Sequence, residues 1–288
     1  MLQVELKSEA RSLLQKAVNM VLNIAHRGAR SLAPENTLAA ARKAYEAGAH
    51  LWETDVTVTK DEVLVLFHDD YPGRTTNAAA VFPDRPNHRL QDYLFSEIRQ
   101  LNAASFFEAT DPFGTIETGE VTPADQEAFQ GESIPSLAEA LQLTQDLQWQ
   151  INLELKGLPE SKQDFPMVES VLDILSTQRF DLTNLVISSF HHQWLRDIHA
   201  RQPEITLQAL IGHSVKGPLD WGGFEFSIYN ARSTLITFDA LQEAKKRGVA
   251  VNLFTVNDEQ EMQRLIQAGA SGLITDYPQR LARIIGPS

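Results

Sequence analysis

Short β-rich runs alternate with helix-patterned segments along most of the chain, and this alternation limits the fold more than any single motif does. The runs are VLNIAH (21–26), LWETDVTV (51–58), EVLVLFH (62–68), INLELK (151–156), LVISSF (185–190), TLQALI (206–211), FEFSIY (224–229), VAVNLFTV (249–256) and GLIT (272–275). Helical periodicity covers 35–47, 136–147, 166–177, 191–201, 238–247 and 258–268. Gly48, Gly248 and Gly269 follow three of these segments, where a C-terminal glycine cap belongs. Repeated β–α units without a break in composition predict parallel strands joined by helical crossovers. About eight strands in roughly 250 residues predict a (β/α)8 TIM barrel rather than an open doubly wound sheet. With nine runs, one must lie outside the barrel or extend a neighbour.

Two stretches break the rhythm. Residues 1–20 intersperse Val4, Leu6, Leu13, Leu14, Ala17 and Val18 with charges, which predicts a helical extension packed on a barrel domain of residues 21–288. Residues 70–133 hold Pro72, Pro83, Pro86, Pro112 and Pro123 and several aromatics, too long a stretch for a plain connection. They predict a small inserted cap after the third strand. The formal charge of −13, from 38 acidic and 25 basic residues, argues against binding nucleic acid or anionic membranes through bulk charge. An anionic substrate would then need a local cluster of cations or a metal. The absence of cysteine excludes a disulfide framework, a thiolate nucleophile and a Cys–zinc site. No apolar run approaches ~18 residues and the N-terminus lacks a signal peptide's apolar centre, so a cytoplasmic protein without stable membrane insertion is expected. Monomer and homodimer both stay open.

The chemistry-bearing residues gather at predicted strand ends. Glu53 and Asp55 are two apart on one strand, so their carboxylates share a face, a costly arrangement among apolar neighbours unless a cation neutralises it. A two-residue Lys60–Asp61 turn would make pairing partners sum to about 121, which sets Glu53 across from His68. Asn152, Glu154 and Lys156 alternate on a further strand and bring a third acid and an ammonium towards its C-terminal end. His26 and Arg27 end the first strand, and barrel active sites lie at the C-terminal ends of strands. Three carboxylates suit one hard divalent cation, Mg2+ or Ca2+, better than zinc. Arg27 and Lys156 can hold a phosphate, and His26 and His68 are natural acid–base groups. Metal-assisted phosphoryl-ester hydrolysis of a small molecule needs no further parts.

At these residues the sequence resembles the glycerophosphodiester phosphodiesterases. The matching stretches are HRG (26–28), PENT (34–37), E-T-D (53–55), HDD-x4-T (68–75), IPSL (134–137), ELK (154–156), TVN (255–257) and GLITDYP (272–278). The resemblance implies a TIM-barrel hydrolase that cleaves glycerophosphodiesters such as glycerophosphocholine to glycerol 3-phosphate and an alcohol. It implies Glu53, Asp55 and Glu154 as ligands of a divalent metal, His26 and His68 as the acid–base pair, and Arg27 and Lys156 as phosphate contacts. A family route through attack of the glycerol 2-hydroxyl implies His26 as base and His68 as acid. Pro72 and Phe254 replace residues that are usually apolar (often Leu) and Trp, and 111–130 looks longer than the usual cap.

Other residues admit simpler readings. Pro34, Asn36 and Thr37 suit a helix start, whereas Glu35, beside HRG, suits ligand contact as well as structure. Gly28 suits close backbone approach to phosphate, and Asp276 a helix or turn cap. Phe190 and Phe254 serve equally as substrate wall or core. His191, His192, His199 and His213 suit surface or helix-start positions, and Arg74 either an anion contact or plain surface. Two other functions fit the same residues: a lysophospholipase-D-like activity on acylated substrates, and a non-catalytic binding module on the barrel.

Overall fold

The computed structural model describes residues 21–286, so the expected extension over 1–20 lies outside the described residues. The strands are β1 (Leu22–Ala25), β2 (Leu51–Val58), β3 (Leu64–Leu66), β4 (Gln150–Leu155), β5 (Leu185–Ser189), β6 (Thr206–Ile211), β7 (Ile228–Arg232), β8 (Ala250–Phe254) and β9 (Gly272–Thr275). All but β3 are parallel, in the circular order β1, β2, β4, β5, β6, β7, β8, β9. The β1–β9 register, Leu22↔Gly272 to Ala25↔Thr275, closes the barrel. The chain is a (β/α)8 barrel.

The crossover helices are α1 (Leu38–Glu46), α2 (Leu137–Asp146), α3 (Met167–Thr177), α4 (His192–Arg201), α5 (Phe238–Lys246) and α6 (Glu259–Ala268), with α7 (Pro278–Ile285) after β9. Their starts follow from sequence. Thr37, Ser136, Thr237 and Asp258 accept a hydrogen bond from the backbone N–H three residues on. Gly269 ends α6 in the left-handed region. The main apolar core lies between the strands and these helices, while the barrel interior has only a small apolar cluster around Ile24, Leu51, Val186 and Ile274. Buried Asn152, Ser188, Gln208, Asn230 and Asn252 line the rest of that interior, which is polar.

The surplus strand is β3, which folds back antiparallel on β2 outside the ring. Its pairs are Val56↔Leu66, Thr57↔Val65 and Val58↔Leu64, one residue off the register expected from a two-residue turn. The loop is Lys60–Asp61–Glu62: the Glu62 N–H donates to Thr59 O (3.1 Å) and the Thr59 N–H to Val63 O (3.0 Å). Glu62 sits at φ 65°, the left-handed position of a three-residue hairpin loop. The expected Glu53–His68 cross-strand pair therefore does not form. β3 ends at Leu66, and His68 leaves the ladder.

The run FEFSIY also shifts. Phe224 lies in a turn at φ 61°, and the strand begins only at Ile228. No helix joins β6 to β7, where Trp221 stacks on Phe224 (5.0 Å between centroids) and both rings meet Tyr229. Between β3 and α2 the chain makes short helical turns in two groups. Leu90, Tyr93, Ile98 and Leu101 bury against the β3 side, and Phe107, Val121 and Phe129 bury against Ala39 and Ala40 of α1.

Gly28 shows how tightly the loop after β1 is held. It lies at φ 78°, and a Cβ there would stand 2.6 Å from the Ala40 carbonyl carbon. Gly28→Ala is expected to destabilise the protein by at least about 1–3 kcal/mol, through overpacking and backbone strain together. Urea unfolding measures this, and an unchanged midpoint would refute it.

Candidate active site

Alternation along β2 turns Glu53 and Asp55 into the barrel, and the parallel register with β4 sets Asp55 directly beside Glu154. The three side chains can each offer an oxygen such that all three lie within 4.8 Å of one another. Burial and the neighbouring charges of Asp55 and Glu154 push the Glu53 carboxyl well above the ordinary range, against a smaller pull from Arg27. Burial and Asp55 likewise raise Glu154 despite Lys156. For Asp55 the balance reverses: burial raises it, but Lys156, Arg27, His68 and the Asn36 amide together hold it far below a usual carboxylate. Glu53 Oε1 is buried with no hydrogen-bond partner. An orphaned oxygen in a cluster of oxygen donors fits a hard divalent cation.

The loop after β1 supplies the counter-charge. Arg27 adopts φ 55°, which aims its N–H at Glu53 Oε2 (2.9 Å). Its Nη1 donates to Glu35 Oε1 (2.8 Å) and its Nε lies 3.3 Å from Asp55 Oδ2, which leaves Nη2. Lys156 Nζ contacts Glu154 (2.9 Å) and Asp55 (3.4 Å). Asn36, at φ 55°, donates to Asp55 Oδ2 (2.9 Å) and accepts from Thr54 Oγ1 (2.8 Å). Thr37 caps α1 as its type suggested, whereas Asn36 orients a carboxylate of the cluster.

Each imidazole has its own aspartate. His26 Nδ1 lies 2.6 Å from Asp276 Oδ1, and His68 Nδ1 lies 2.7 Å from Asp69 Oδ1, so both rings keep Nε2 for other partners. Burial and then Arg27 lower the His26 pKa, and Asp276 offsets this only in part. Asp276 is no helix cap; the Asn257 amide donates to its other oxygen (2.7 Å). Burial would raise the Asp276 carboxyl, but His26 and Arg30 bring it to about 2. Arg74 hydrogen-bonds Asp69 and reaches Glu35 with Nη2 (2.6 Å) and Nη1 (3.1 Å). Arg30 Nη2 reaches the same Glu35 (2.7 Å). Against burial, Arg27, Arg74 and Arg30 hold Glu35 at about 2.

A cavity of about 920 Å3 opens beside the cluster, with His68, Glu154, Lys156 and Phe190 in its wall. His26, Arg27, Glu35, Glu53, Asp55 and Phe254 are not in that wall. Glu35 has both oxygens occupied by guanidinium groups, and Phe254 packs behind Phe190 (6.2 Å) under Arg232 (5.3 Å). Sequence reasoning missed Asp276, Asn257, Asp69 and Arg30 as partners of the site. The first had a signal: closing a barrel sets the last strand beside the first, so the residues ending VLNIAH and GLITD meet.

A family model described as the Glycerophosphoryl diester phosphodiesterase family matches residues 26–280. A glycerophosphodiester phosphodiesterase of Caldanaerobacter subterraneus subsp. tengcongensis is 31% identical over 267 residues, covering 92% of this chain and 97% of that protein. One from Bacillus altitudinis is 32% identical over 269 residues, covering 90% and 96%. A solved structure of an Oleispira antarctica phosphodiesterase in complex with the product sn-glycerol-3-phosphate superposes with a TM-score of 0.75. It is 26% identical and covers 92% of this chain and 97% of that one.

The crowding of three acids has a thermodynamic consequence. A carboxyl whose folded pKa is raised costs stability once pH exceeds its unfolded pKa, and the cost is full above the folded pKa. In Glu53→Gln the amide can donate to a neighbouring carboxylate. At pH 8 with EDTA this variant is expected to be about 1 kcal/mol or more stable than the parent, the scale of relieving an unsatisfied buried group. Thermal unfolding reads this, and a less stable variant would mean that the protein alone already satisfies the cluster.

Proposed function

The chain belongs to the glycerophosphoryl diester phosphodiesterase family and is a phosphoric diester hydrolase, and on that premise we propose a role for each group at the barrel mouth. The substrate is a glycerophosphodiester, and the products are glycerol 3-phosphate and an alcohol. Glu53, Asp55 and Glu154 hold one divalent cation, Mg2+ or Ca2+, which when bound neutralises charge building on the phosphate oxygens. Arg27, through Nη2, and Lys156 hold the phosphate. His26 Nε2 takes the proton of the glycerol 2-hydroxyl as that oxygen attacks phosphorus, and His68 Nε2 gives a proton to the departing alcohol. Water then opens the cyclic phosphate with the two proton transfers reversed.

One observation carries this reading. The acidic cluster, Lys156 and two imidazoles whose Nδ1 atoms are both engaged by aspartates converge at one barrel mouth. The lowered pKa of His26, through burial and Arg27, keeps the ring neutral near pH 7, as a base must be. The related Oleispira protein holding sn-glycerol-3-phosphate supports the same product here. A non-catalytic module would have no need of this complete set.

The test supplies glycerophosphodiesters and a monoacylated analogue with Mg2+, with Ca2+ and with EDTA, and follows glycerol 3-phosphate. Metal-dependent release from the unacylated substrates is expected, while turnover of the acylated one alone would favour the lysophospholipase-D-like activity. His68→Ala is expected to lower kcat by at least ~10²-fold on alkyl esters. It should lose far less on a p-nitrophenyl ester, whose leaving group needs no acid. Equal losses on both would remove His68 from the acid role.

A further inference from the structure

From His68 the cavity runs outward between residues 69–93 on one side and the ends of β5 and β6 on the other. On the functional reading above, His68 faces the departing alcohol, so this outer part receives the leaving group. Its chemistry is unusual in what it has already used. Three carboxylates reach the wall, and each has a cation among the described residues. Asp69 binds His68 and Arg74, Asp70 binds Arg89 (2.6 Å), and Glu154 binds Lys156 (2.9 Å).

The two tyrosine rings of the wall are occupied in the same way. Arg89 lies over Tyr71, 5.3 Å from the ring centroid, and Arg85 lies over Tyr93 at 5.5 Å. Phe190 meets the His213 ring at 4.9 Å. An ammonium ligand is normally held by carboxylates and aromatic faces, and here the protein's own tethered cations occupy the carboxylates and both tyrosine rings. By contrast, the rings of His88, His191 and His213 reach the cavity without any side-chain hydrogen bond among the described residues. Neutral imidazole both donates and accepts, which suits hydroxyl groups.

We infer that the leaving-group side of this cavity selects uncharged, hydroxyl-rich alcohols over quaternary ammonium alcohols, and that Arg89, by covering Asp70 and Tyr71, enforces the selection. Arg89 lies outside the catalytic cluster, and its side chain is 38% exposed, so its replacement leaves the core intact. It rejects a cation twice, by occupying the attractive groups and by adding like charge.

The experiment compares kcat/KM for glycerophosphoglycerol and glycerophosphocholine, which share the glycerol phosphate half and differ only in the alcohol. The wild-type protein should favour the glycerol ester by about tenfold or more, because two attractive sites for the ammonium are blocked. Arg89→Gln should raise kcat/KM for the choline ester by about fivefold, the scale of one exposed cation–π contact, and leave the glycerol ester unchanged. Equal or better turnover of the choline ester by the wild type overturns the inference and leaves the hydrolase reading standing. A ratio that does not move in Arg89→Gln also overturns it. Hydrolysis of neither ester removes the functional reading, and this inference with it.

Discussion

Three carboxylates share one small volume at the mouth of the barrel, and the surrounding structure is organised by what that crowding requires. Like charges within 4.8 Å repel by about 3 kcal/mol or more per pair at an effective dielectric of about 20, before any cost of burial. Strand alternation and the β2–β4 register impose this proximity, because Asp55 and Glu154 are direct neighbours in the ladder and face the same side of it. The protein therefore answers with unequal treatment. Asp55 receives Lys156, Arg27 and Asn36 and stays ionised, whereas Glu53 keeps an oxygen with no partner. Such a cluster fits a cation and is a poor way to stabilise a fold.

The same logic extends outward as a chain of alternating charge. His26 leads to Asp276, then to Arg30 (3.7 Å), Glu35, Arg74, Asp69 and His68. The two imidazoles are thus joined through one buried glutamate that three arginines hold. A protein with a formal charge of −13 concentrates its cations here, and most of them are already paired with acids. Lys156 is paired too, but with Asp55 and Glu154 of the cluster itself, and Arg27 keeps Nη2 beyond its contacts to Glu35 and Asp55.

The barrel was legible because it repeats. Periods of 2 and 3.6, glycine caps and N-capping Ser, Thr and Asp recur often enough that no single error matters, and six of the helices fall within a few residues of their expected bounds. The β2–β3 register was not legible, because it hung on one loop, and a left-handed Glu62 carries no sequence mark as Gly would. Within the site, the residues whose chemistry is explicit, the acids and imidazoles, were visible as pairs on strands. The residues that orient them were not, because Asn36, Asp69 and Asp276 occur as ordinary caps and turn residues, and only tertiary placement gives them another partner. Glu35 illustrates the limit: its neighbours in sequence suggested a ligand contact, whereas Arg74, 39 positions later, claims it from another loop.

Position in the fold also explains why selectivity and chemistry can be separated yet linked. The acids and Lys156 stand on or directly after strands, where ladder hydrogen bonds fix the backbone. The stretch that follows β3 departs from the barrel and forms a wall of the cavity, so its side chains can differ without disturbing the cluster. Yet His68 and Asp69 begin that stretch, and Arg74 ties it to Glu35 on the rigid side. On the proposed roles, the segment that would meet the leaving alcohol is also the one that would carry the proton for it. A poorly seated alcohol would pull on the same loop that aligns His68, so discrimination should act on the rate of departure as well as on binding.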